Sequence, residues 1–222
     1  FMFATAFLSM WMSNTATAMM MVPVAVSIIS KFSELLDEKD ARRYSLSLLL
    51  GIAYAASVGG IATLIGTPPN LSFTRIFSIM FPNAPEISFS QWFVFALPIS
   101  IFMLFAAWLV LYLIYRTSTK QIQAGKNIFR EQYKALGKTT FEEKIVFIAF
   151  ITLAVLWIFR SGIKIENFEI PGWTSLFNDP KFINDGTIAV FIAVVLFIIP
   201  SRSKPGERIL DRTVIKKLPW HI

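Results

Sequence analysis

Apolar residues in this chain come in blocks too long for the half-buried elements of a soluble domain. The clearest are 91–115, 145–159 and 186–200, with a shorter one at 44–57. About 20 helical residues cross a hydrocarbon core of ~30 Å, and 91–115 is long enough to do so alone. Chain in lipid must satisfy every backbone polar group within itself. The alternating pattern of a membrane strand is absent, so the spans are expected to be helices. Composition agrees: of 222 residues, 55% are apolar and 16% charged. The expected fold class is an all-α, multi-span membrane protein.

Several kinds of chemistry are excluded at once. The sequence has no cysteine, hence no disulfide, thiolate metal site or cysteine nucleophile. Its one histidine, His221, stands next to the last residue. The net charge of +7 is not a nucleic-acid footprint, because the cations fall in connectors separated by spans. Lys and Arg collect in 31–43, 116–140 and 201–217, whereas 81–91 has none and 161–185 has more acids than bases. Alternation of this kind is the positive-inside pattern. It places the three basic connectors on the cytoplasmic side of the plasma (inner) membrane. Within the second connector, Ile122, Phe129, Tyr133 and Leu136 share one helical face, with Lys126, Arg130 and Lys134 elsewhere, the pattern of a helix lying in the interface.

Two interruptions matter most. Residues 1–29, as one helix, would be about 43 Å long at 1.5 Å per residue, well beyond the hydrocarbon core. In their middle stands Ser13-Asn14-Thr15, residue types that cap helix N-termini. Either two half-helices meet there as a re-entrant hairpin over 1–30, or one long tilted helix turns its polar cluster inward. The second interruption is Gly59-Gly60, then Gly66-Thr67-Pro68-Pro69-Asn70. Adjacent prolines remove two donors and stop a helix, yet proline suits the first turn of a new one. A broken helix over 44–81 is expected. Gly59 and Gly60 either ease the break or permit close helix packing, and packing is the preferred account. Arg75 either draws anions or reaches the interface.

Broken membrane helices point to a transport site near the midplane. Carbonyls freed at a break hold cations, and half-helix N-termini favour anions. Ser9 and Ser13 are four apart and share a helical face, with Asn14 at the tip. Together with a carbonyl from the Gly66 break they would form a neutral, all-oxygen site suited to a large monovalent cation. Ser9 can equally bond back to its preceding turn. No Asp or Glu lies near either break, which favours Na⁺ over protons as the coupled ion.

Both motifs, in this order and separation, resemble the divalent anion:sodium symporter family. The resemblance implies half of an inverted-repeat fold, the first repeat and the start of the second. It also implies an elevator-type mechanism, a homodimer, and Na⁺-coupled carriage of C4-dicarboxylates such as succinate, or of sulfate. Matching the motif residue by residue implies Na⁺ ligation by Ser9, Ser13, Asn14 and the Gly66 carbonyl. It implies substrate contact by Asn14, Thr15 and Thr67, with Pro68 shaping the wall. Residues 1–81 would then belong to the transport domain. Residues 82–140 would hold a span and the interfacial helix, and 141–222 two spans (141–159 and 186–200) and a cytoplasmic loop.

The opening inside an apolar stretch and the close on Lys216-Lys217-Leu-Pro-Trp suggest a piece of a longer transporter. A channel with re-entrant loops is the competing class. An integral membrane enzyme would need a nucleophile with a partner base or a metal cluster, and none is evident in the spans.

Overall fold

The protein is described here by a computed structural model covering residues 1–33, 36–116, 137–165, 168–177, 179, 183–204 and 206–211. The interfacial helix expected across 116–140 falls almost entirely outside these, as do His221 and the segment 216–222. The chain divides into two units, Phe1–Ala135 and Leu136–Ile222.

The first unit contains α1 (Met2–Ser9), α2 (Asn14–Ser33), α3 (Glu38–Ile61), α4 (Pro68–Met80) and α5 (Phe89–Tyr115). By length and composition α2, α3 and α5 can each cross a membrane. α3 is the hub. Met2 lies beside Gly51, Ser9 bonds to Ala56 and Met10 to Thr63, so α1 runs parallel to α3. Asn14 meets Gly60, and Phe32 packs on Tyr44 with ring centroids 4.9 Å apart, so α2 runs antiparallel to it. α1 and α2 therefore form a helical hairpin with its tip at 10–13, not one continuous helix. α5 is antiparallel to α3: Trp92 meets Ile61, Ser100 meets Val58, and Leu111 lies near Gly51.

The close fit follows from small residues. α3 buries Gly51, Ala55, Ala56, Gly59 and Gly60 among its contacts. Small residues let helix backbones approach where hydrophobic burial gives no drive. A Cβ at Gly59 would stand 2.2 Å from the Ala6 carbonyl oxygen and 2.6 Å from its Cα. That favours the packing account of Gly59.

The charged stretch 31–43, expected as a loop, is mostly helix, because α2 runs to Ser33 and α3 starts at Glu38. Periodic apolar residues were the cue for α3, and its first turns carry none. They carry Glu38 and Asp40 instead, acids that favour a helix N-terminus. Outward surfaces are apolar: Met19, Phe95 and Phe102 are each 72% exposed. Such a surface suits hydrocarbon rather than water.

The second unit pairs α6 (Phe141–Ile158) with α7 (Asp185–Ile198). The Trp157 indole N–H donates to the Asp185 carbonyl at 3.0 Å, and Glu142 binds the chain beyond α7 at the other end, so the two are antiparallel. Between them lies a short antiparallel hairpin, β1 (Ile163–Ile165) and β2 (Phe168–Ile170), then a 3₁₀ turn, Trp173–Leu176. This small departure from an otherwise helical fold has a sequence signal in Ile-Lys-Ile and Phe-Glu-Ile, which alternate at period two. At this end Arg160 pairs with Asp185 at 2.6 Å and donates to the Ile183 carbonyl. The Trp173 indole caps the Leu156 carbonyl near the end of α6.

At the opposite end, Glu142 precedes the apolar run that starts at Ile145. Its Oε1 accepts from the Ser201 hydroxyl (2.8 Å) and from the amides of Arg202 (2.7 Å) and Ser203 (2.8 Å). Glu142→Gln, which replaces the charged acceptor by a weaker neutral one, should speed hydrogen exchange at the Arg202 and Ser203 amides several-fold at about pH 7.

Glycine packing gives a second prediction. Gly59→Ala should lower stability in detergent by about 1–3 kcal/mol, the usual cost of overpacking, because its Cβ meets fixed backbone. Gly51→Ala should cost clearly less, since its Cβ meets only side-chain ends, Met2 Cγ at 3.1 Å and Leu111 Cδ1 at 3.8 Å. Thermal unfolding of the two variants checks the difference.

Candidate functional site

The first break is residues 10–13. Ser13 caps α2: its hydroxyl accepts from the Ala16 amide at 3.3 Å and its carbonyl from the Thr17 amide at 3.0 Å. Among the described residues, the amides of Asn14 and Thr15 have no protein acceptor, so they remain open at the positive end of α2.

The second break is residues 62–67. A helix C-terminus leaves four carbonyls without intrahelical donors. In α3 every one is engaged. Val58 receives the Ser100 hydroxyl (2.8 Å) and Gly59 the Ala62 amide (3.1 Å). Gly60 receives the Asn70 side-chain amide (2.9 Å) and Ile61 the Trp92 indole N–H (3.0 Å). Asn70 also donates to the Thr63 carbonyl at 2.7 Å, spanning the break from the first turn of α4. The Thr63 hydroxyl donates to the Met10 carbonyl and accepts from the Gly66 amide at 3.1 Å.

This changes which backbone groups are free. The α3 carbonyls are committed, whereas those of Ser9 and Gly66 accept no hydrogen bond among the described residues. α4 also offers fewer amides than an ordinary helix start. Pro68 and Pro69 have none, and the Asn70 amide bonds to the Thr67 carbonyl at 3.1 Å. α2 thus presents an open N-terminus, while α4 offers its dipole and the Thr67 amide, which has no acceptor among the described residues.

The two breaks meet. Asn14 Oδ1 accepts from the Ser9 hydroxyl at 2.8 Å and lies 2.1 Å from where a Gly60 Cβ would be. A Cβ on Gly66 would stand 2.6 Å from the Gly60 carbonyl oxygen and 3.0 Å from that of Ser9. Only glycine permits either approach. Ser9, Asn14, Gly60 and Gly66 therefore converge. Ser9 is fully buried, and its hydroxyl also reaches the Ala56 carbonyl at 2.7 Å. This long-range bond replaces the local back-bond that was its alternative.

The remaining sequence candidates lie on the open side. Ser13, Thr15 and Pro68 are exposed, while Asn14 and Thr67 are partly exposed. No direct bond joins Thr15 to Thr67 or Pro68. Arg75 is exposed on α4. Among the described residues no three His, Cys, Asp or Glu side chains cluster as metal ligands. The floor is neutral oxygen, which suits a dehydrated monovalent cation, and beside it the open amides of Asn14 and Thr15 suit an anion.

Sequence reasoning gave no role to Thr63, Asn70, Trp92 or Ser100. Asn70 had a signal, since it stands in the first turn after Pro-Pro, where a side chain can fold back over the break. Trp92 and Ser100 had none, being 31 and 42 residues from their acceptors.

The family model for the sodium:sulfate symporter transmembrane region matches residues 1–222. The sodium-dependent dicarboxylate transporter SdcS of Staphylococcus saprophyticus is 37% identical over 227 residues, covering 100% of this chain and 42% of the relative. The same transporter from Staphylococcus aureus strain NCTC 8325 is 36% identical with the same coverage. The chain thus spans about two fifths of the length of the curated relatives it matches. These are transporters, not enzymes. Apolar helices long enough to cross a bilayer, broken where neutral oxygens meet, and a family match over the full length lead to one assignment. The chain is an integral plasma-membrane protein and belongs to the sodium:sulfate symporter family.

Proposed function

We propose that this chain is part of a sodium-coupled secondary carrier of small divalent anions, with C4-dicarboxylates such as succinate as substrates. The observation that carries this reading is the approach of Ser9, Asn14 and Gly66 to one another in an uncharged, oxygen-lined junction of two broken helices. Here Na⁺ takes oxygens of Ser9, Ser13 and Asn14 and the Gly66 carbonyl. One substrate carboxylate takes the Asn14 and Thr15 groups and Thr67, with Pro68 as wall. A cation beside an anion offsets the desolvation that each would suffer alone, which is the physical basis of coupling. In this reading the helical hairpin at 1–30 is a re-entrant element whose tip brings Asn14 to the second break.

Residues 1–81 form part of a transport domain that moves in elevator fashion, within a homodimer of the full-length protein. The basic loops 31–43, 116–140 and 201–217 face the cytoplasm. Dicarboxylate is favoured by the names of the relatives. The family description names sulfate, which makes an oxyanion the second reading.

Sodium-driven succinate uptake into proteoliposomes holding the full-length protein tests both. Asn14→Ala and Thr15→Ala should each reduce uptake about tenfold or more, as expected when hydrogen bonds of ~1.5–3 kcal/mol to a charged group are lost. Unchanged uptake in both would remove these side chains from the site. Excess sulfate should compete poorly with succinate; strong competition favours the oxyanion reading.

A further inference from the structure

We propose that Thr63 is a positioning residue that sets sodium affinity by locking the two helix breaks in register. This rests on the carrier reading above and adds to it a residue that binds neither ion nor substrate. Thr63 is fully buried within the second break. Among the described residues it is the one side chain whose hydrogen bonds join the two breaks, donating to the Met10 carbonyl and accepting from the Gly66 amide.

The need for such a strap follows from Gly66 itself. Close approach to the Gly60 and Ser9 carbonyls excludes a Cβ at this position. Glycine has the widest backbone freedom of any residue, and a cation ligand must hold its carbonyl direction. The residue required by the approach is thus the one least able to hold its own orientation. The Thr63 hydroxyl fixes the Gly66 amide from outside. The same hydroxyl occupies the Met10 carbonyl, tying Gly66 to the tip that carries Ser13 and Asn14. Asn70 reinforces the strap by holding the Thr63 carbonyl at 2.7 Å. The Thr63 carbonyl, hydroxyl and Gly66 amide are all used within the protein, so Thr63 orients the ligands without being one.

Replacing the hydroxyl by a methyl group of equal size separates positioning from packing. In the full-length carrier in proteoliposomes, Thr63→Val should raise the sodium concentration for half-maximal succinate uptake by about tenfold, the effect of losing a buried hydrogen bond. The succinate KM at saturating sodium should stay within about twofold of wild type, because the bound ion itself then holds the register that Asn14 and Thr67 share. Thr63→Ser keeps both bonds and should restore wild-type sodium dependence. Should Thr63→Val not fold, Thr63→Ala replaces it under the same criteria.

Wild-type sodium dependence in the variant lacking the hydroxyl overturns the proposal. So does an equal defect in Thr63→Ser, or a loss shared evenly between sodium and succinate. Uptake by wild type that ignores sodium is a separate result and removes the carrier reading itself.

Discussion

A helix broken inside a membrane exposes carbonyls and amides where no water reaches them, at a cost of several kcal/mol for each group left unpaired. The first unit is organised around meeting that requirement at the end of α3. Its last four carbonyls are taken by Ser100, the Ala62 amide, Asn70 and Trp92, which come from α5, the break itself and α4. The bonds from Ser100, Trp92 and Asn70 also tie α5 and α4 to α3. Satisfaction of the break and assembly of the unit are therefore the same set of interactions.

Selective satisfaction is what turns a break into a site. If all groups were paired, nothing would remain to hold an ion; if none were, the break would not be stable. Here the α3 carbonyls are closed off, while the Ser9 and Gly66 carbonyls and the Asn14 and Thr15 amides remain open. Glycine at 60 and 66 brings these groups within reach of one another by removing the Cβ atoms that would separate them. In the second unit, too, side chains engage backbone groups at the helix ends. Trp173 and the Arg160–Asp185 pair close one end, and Glu142 gathers three donors at the other.

How much of this was legible in sequence depended on range. The break at 10–13 could be read from Ser13-Asn14-Thr15, because capping is local chemistry and the run around it was too long for one span. The break before α4 could be read from Pro68-Pro69 for the same reason. The approach of Ser9, Asn14 and Gly66 was inferred from residue type and resemblance, and the geometry of the two breaks agrees with it. What remained hidden was the donor of each orphan carbonyl. Trp92 and Ser100 sit in an apolar run that any spanning helix would show, and only the docking of α5 on α3 gives them a role. The helical character of 38–43 was likewise hidden, since charged first turns carry no apolar period. Thr63 lay between glycines and read as part of an irregular loop.

The most direct test of the central claim is to image the ion. Maps of the full-length protein by electron cryo-microscopy, in sodium chloride and in choline chloride, should differ at one place in this half of the molecule. The account predicts sodium-dependent density bounded by Ser9, Ser13, Asn14 and the Gly66 carbonyl, with the 10–13 and 62–67 breaks in contact. Density elsewhere, or the two breaks held apart in the sodium-bound protein, would contradict it.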